Sequence, residues 1–270
     1  MKNYPAIVHL VLYTPGLCGT WLTWLINQHK NFPQYKLKDK NYINDKKETK
    51  PLDVGCFGSD WHTYQHISKD SDYYTRNYSS DKDNEFTKEF LNYTFEENRR
   101  IRPMDERNNE SFTKDCVKIL PNHGCFGDNH LEKFEPINQK LLKKITDDMQ
   151  PEKIIVPIFN SENDFTLIKR WIIYLDHHWG PPRIHKNCDY FAYWIRIWNE
   201  WSDYLVQDNP YGNNVHYVDI EKLTSGDNDE YLKLCEAIDE TPIDNIQEDI
   251  TAYRNILSEV AEQYDRINRK

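Results

Sequence analysis

Residues 6–26, AIVHLVLYTPGLCGTWLTWLI, pass from an apolar run (Ala6–Tyr13) through a turn at Pro15 and Gly16 straight into an apolar segment with helical spacing. A continuous apolar run of that length predicts a strand buried on both faces, as in parallel sheets. A glycine turn and a helix start just after such a strand aim several backbone N–H groups and the positive end of the helix dipole at one point. The stretch therefore predicts an α/β fold with an anion site at Gly16, Leu17, Cys18, Gly19, Thr20 and Trp21. The loop itself holds no lysine or arginine, so a bound anion would need a cation from elsewhere in the chain. An ordinary strand-to-helix turn, whose glycines only permit tight backbone angles, accounts for the same residues.

The pattern recurs. Asp115–Leu120 reads as a short buried strand, Lys153–Phe159 (KIIVPIF) as a second core strand, and Val215–Ile220 as another. Helices are predicted over Asn84–Arg100, from Pro136 onward, after the capping pattern Ser161 to Asp164, and over Asp189–Val206. The helix after Asp164 is expected to bury Phe165, Ile168, Ile172 and Leu175. The last helix carries Ile246, Ile250, Tyr253, Leu257, Val260, Tyr264 and Ile267 at alternating four- and three-residue steps. That stripe reads first as a face covering the domain's own sheet and second as a homodimer seam. Strands separated by helices predict a central, mostly parallel sheet flanked by helices, in a single domain over 1–270. Polar insertions are expected around 30–50 and 58–84. In such sheets ligands sit beyond the carboxyl ends of the strands. The loops at Gly16–Thr20, around His123 and at Asn160–Asp164 are thus candidates for one shared site.

Charge and cysteine usage narrow the function classes. A net charge of −10 over 270 residues argues against broad binding to nucleic acid or an anionic membrane. No apolar run reaches the roughly 18–20 residues that span a bilayer. Residues 1–26 lack the uniform apolar stretch of a cleavable leader. The six cysteines are scattered, with no Cys-x-x-Cys pair, so reduced thiols and a cytoplasmic location are expected. No metal is expected: His130, His177 and His178 fall outside any His-Glu-x-x-His pattern.

His123 follows the Asp115–Leu120 run in the segment PNHGCFGDNH and can act as a base toward an acceptor hydroxyl near neutral pH. A surface or structural histidine is the plainer alternative for a chain with ten of them. The first loop is neither a Walker A motif nor a Gly-x-Gly-x-x-Gly fingerprint.

Taken in order, these pieces resemble the sulfotransferase superfamily, enzymes that transfer a sulfuryl group from 3′-phosphoadenosine 5′-phosphosulfate to a hydroxyl or amine. Pro15-Gly-Leu-Cys-Gly-Thr-Trp-Leu22 is similar to the family's phosphosulfate loop, and VKILPNH to its central strand ending in a catalytic histidine. IIVPIFNSENDFTLIKRW resembles its 3′-phosphate segment, and VHYVDIEKL its strand ending in Tyr-Glu-Asp-Leu. The resemblance implies a P-loop-NTPase-like sulfotransferase architecture, with His123 as catalytic base. Residues 16–21, Thr166 and Arg170 would bind the donor. Lys169 and the Arg99, Arg100 and Arg102 cluster are further sources of positive charge. The acceptor would be a small molecule or glycan, with Ser59–Tyr78 as a segment to cover it. Two alternatives remain: a catalytically degenerate binding or accessory protein of the same fold, and a nucleotide-dependent kinase-like enzyme.

Overall fold

Each apolar run that precedes a glycine turn or a helical stripe forms a strand, and the strands lie side by side in one direction. The computed structural model describes residues 7–13, 16–32, 114–119, 150–160, 165–179, 190–208 and 212–268. The expected helices over Asn84–Arg100 and after Pro136, the polar insertions beyond Phe32, the Ser59–Tyr78 segment and His123 lie outside the described residues.

The strands are β1 (Ile7–Leu12), β2 (Lys114–Ile119), β3 (Lys153–Ile158) and β4 (Val215–Asp219). They form a parallel sheet in the order β2-β1-β3-β4. The fold is therefore α/β with a parallel sheet. β1 pairs with β2 along its whole length, from Ile7 opposite Lys114 to Leu12 opposite Ile119. Its ladder with β3 runs only from His9 opposite Lys153 to Val11 opposite Ile155. Pro157 falls beyond that short ladder, which is where a residue without an N–H is tolerated inside a sheet. Ile154 to Ile158 are all buried, as the uninterrupted apolar run required.

The helices are α1 (Gly19–Ile26), α2 (Thr166–Trp179), α3 (Tyr190–Asp208), α4 (Ile220–Ser225), α5 (Asn228–Ala237) and α6 (Ile246–Asn268), with a 3-10 turn at Gly212–Asn214. One cluster of buried apolar side chains joins β1, β3, β4 and every one of these helices. In α6 the stripe Ile246, Ile250, Tyr253, Leu257 and Val260 is buried, while Ile267 is exposed. Tyr253 stacks on Trp21 of α1 with ring centroids 4.5 Å apart and planes 6° from parallel. The α6 stripe thus covers the protein's own core. Asp265 of α6 pairs with Lys169 of α2 at 2.8 Å.

The buried surface of α2 is wider than the expected stripe, whose Ile168 is fully buried and whose Phe165 and Ile172 pack against the core. Leu167, Ile168, Arg170, Trp171 and Ile173 are buried, whereas Phe165 and Ile172 are half-buried. α2 packs between α6 and α3, so it turns more than one face inward, and the buried Arg170 adds to the expected stripe. No helix among the described residues is long and apolar enough to cross a membrane.

Candidate functional site

From the central strand β1 the chain goes one way to β2 and the other way to β3, which makes the β1–β3 boundary the switch point of the sheet. Ligands of open α/β sheets bind in the crevice outside the strand ends at that point. β1 leads there to the loop Gly16–Cys18 and to α1. β3 leads there to Phe159 and the exposed Asn160.

α1 starts without a side-chain cap. Its N-cap residue, Cys18, sits in the left-handed region (φ 53°, ψ 23°) and makes no capping bond to the first turn. The first turn also carries no acidic residue. The N–H groups of Gly19, Thr20 and Trp21 have no acceptor within the helix, as in any first turn, and the dipole there is not offset by a carboxylate. The Cys18 thiol instead donates to the Gly16 carbonyl at 3.9 Å.

The cation missing from the loop comes from α2. Arg170 is 5 % exposed, and its Nη2 donates to the Gly16 carbonyl at 3.3 Å and to Cys18 Sγ at 3.4 Å. Its guanidinium also lies 6.0 Å from the Trp171 ring centroid. Among the sequence candidates for positive charge, Lys169 turns to Asp265 on α6, and Arg99, Arg100 and Arg102 lie outside the described residues. Thr166 is the first residue of α2 and half-buried, four residues before Arg170 and hence on the same side of the helix.

Aromatic rings cover this loop, and sequence reasoning assigned them only to the general core. Gly16 has φ +91°, and a Cβ there would come 2.5 Å from Trp198 Cζ2 and 2.9 Å from the Trp171 ring. A Cβ on Gly19 would fall on the Tyr13 ring. Leu17 and Trp21 are fully buried core side chains, so their backbone is what they can offer a ligand. Trp171 meets Trp194 edge-to-face, Trp194 lies tilted against Trp198, and Trp198 meets Phe159 edge-to-face; the Phe159 N–H donates to the Ser202 hydroxyl at 3.1 Å. The signal for this covering was the three- and four-residue spacing of aromatics in α3, which marks a buried face without saying what it rests on.

The uncapped start of α1 and the buried Arg170 guanidinium thus adjoin the same loop, and these are the two kinds of group that recognise an anion. Of the three loops expected to converge, the first and the start of the third emerge side by side from β1 and β3. β2 ends at Ile119, next to β1, and His123 lies beyond it outside the described residues. No group of histidine, cysteine or carboxylate side chains suited to a metal occurs among the described residues. No protein-family model, curated protein or solved structure matches this chain.

Proposed function

We propose that the chain binds an anionic nucleotide donor at the start of α1 and transfers its sulfuryl group. The donor is 3′-phosphoadenosine 5′-phosphosulfate, and the acceptor is a hydroxyl or amine of a small molecule or glycan. The observation that carries this reading is the uncapped first turn of α1 at the switch point, with the Arg170 guanidinium against the same loop. Backbone amides at a helix start and a planar cation are the two elements that phosphate and sulfate recognition uses.

In this reading the N–H groups of Gly19, Thr20 and Trp21, with Arg170, take the 5′-phosphosulfate, and Thr166 takes the 3′-phosphate. The donor supplies a sulfuryl group attached to a good phosphate leaving group. The acceptor oxygen or nitrogen bonds to sulfur, the bond from sulfur to the phosphate oxygen breaks, and His123 receives the acceptor's proton. The P-loop-like architecture and a cytoplasmic site of action belong to the same proposal.

The aromatic covering of Gly16 and Gly19 favours a second reading, in which the same site binds such an anion without turnover. Calorimetry with 3′-phosphoadenosine 5′-phosphate and transfer assays with sulfur-labelled donor separate the two. Sulfuryl transfer would bind the bisphosphate, weaken at least about tenfold in Arg170→Met, and lose transfer but not binding in His123→Ala. Binding without transfer to any phenol, sugar or amine supports the second reading, and no binding at all removes both.

A further inference from the structure

Far from the loop, the start of β2 and the turn after α5 are joined by a buried polar network. Lys114 Nζ donates to the carbonyls of Ile238 and Asp239 at 2.9 and 2.8 Å and pairs with the Glu240 carboxylate at 2.9 Å. Asn31 Nδ2 donates to both Glu240 oxygens at 3.0 and 3.2 Å. His29 Nδ1 lies 3.1 Å from the Thr241 carbonyl. A carbonyl can only accept, so Nδ1 carries the proton of the neutral ring. These contacts hold a short turn onto segments that lie more than a hundred residues away in sequence.

Two imidazoles inside this junction have no room for a charge. His9, in the middle of β1, is 1 % exposed, and neither of its ring nitrogens makes a hydrogen bond. Its ring lies 5.6 Å from that of Phe32. His29 is fully buried, rests against Tyr231 of α5 and leaves Nε2 without an acceptor. The charged groups around His9 are Lys114 of β2, Lys153 of β3 and Glu240 of the turn. Around His29 they are Glu240 and Lys114, with the Tyr231 ring on the α5 side. Burial disfavours the imidazolium at both positions, and the carboxylate that could offset it is already committed to Lys114 and Asn31. A proton on either ring would add a buried N–H with no acceptor and a charge beside Lys114.

We propose that the Ile238–Thr241 turn is an acid-released latch: proton uptake by His9 and His29 lets the turn, with the end of α5, come away from the β1–β2 edge while the β1-β3-β4 ladder stays formed. Water then reaches both rings, and Lys114 and Glu240 become solvated. The device is independent of the anion site, which lies at the opposite end of the strands.

Hydrogen exchange with mass spectrometry at about pH 7 and about pH 5, corrected for intrinsic rates, tests this. Peptides spanning 231–243 lose at least about tenfold protection at the lower pH, while the β3 peptide keeps its own. In His9→Met and His29→Asn the loss shrinks. Equal loss throughout the chain, no loss, or a loss unchanged in both variants overturns the latch. If the variants do not fold, the C2–H exchange rates of the wild-type histidines decide. Titration of His9 and His29 well below the ordinary range is expected, and ordinary titration refutes the proposal.

Discussion

Arg170 shows how much a single side chain can alter the meaning of a loop. In the sequence it is one of several cations that the resemblance offers to the donor, and nothing there places it against the first loop. In the fold it reaches across to Gly16 and Cys18, 154 and 152 residues away, and places a charge where the loop has none. His9 is the opposite case, a polar residue inside an apolar run whose burial the run itself announced. Its pKa is lowered from 6.5 to about 4, chiefly by burial and then by Lys114. The folded protein therefore refuses a proton that the unfolded chain accepts, so stability is fully present above about pH 6.5 and falls as the pH drops toward 4. The expected loss from His9 alone is about 3 kcal/mol, read from urea midpoints across that window. His9→Met removes its own share of the slope and leaves that of His29, and a wild-type midpoint that stays flat down to about pH 4 contradicts the assignment.

At the level of elements, the unit from β1 through the loop to α1 is held by shape as much as by hydrogen bonds. Gly16→Ala puts a methyl group at positive φ against two indole rings. It is expected to destabilise the protein by about 2–4 kcal/mol in equilibrium unfolding, through overpacking and backbone strain together. A cost below about 0.5 kcal/mol would mean that Trp171 and Trp198 do not rest on the loop. β1 and β3 were legible because a strand buried on both faces is largely apolar throughout, as KIIVPIF is. α6 was legible because one face covers the core and the other meets water. α2 was legible only in part because it has partners on two sides, and periodicity has no way to mark a charged residue that turns inward to bond a carbonyl. Cys18 was legible as a loop residue, but its left-handed backbone and its role as a non-capping N-cap follow from packing around Gly16 and Gly19, which local sequence does not encode.

At the scale of the molecule, a parallel sheet could be expected from alternating strands and helices, but its order could not. Nothing in β2 or β3 says which side of β1 it takes, because the choice depends on how the intervening chain crosses over. That order creates the switch point, so the position of the candidate site became definite only in the fold. The proposed donor site rests on one claim, that an anion lies against the first turn of α1 and Arg170. A titration of the nitrogen-15-labelled protein with 3′-phosphoadenosine 5′-phosphate tests it most directly. The account predicts saturable shifts at the backbone amides of Gly19, Thr20 and Trp21 and at the Arg170 side-chain N–H. Shifts confined to other parts of the chain, or none, would contradict it.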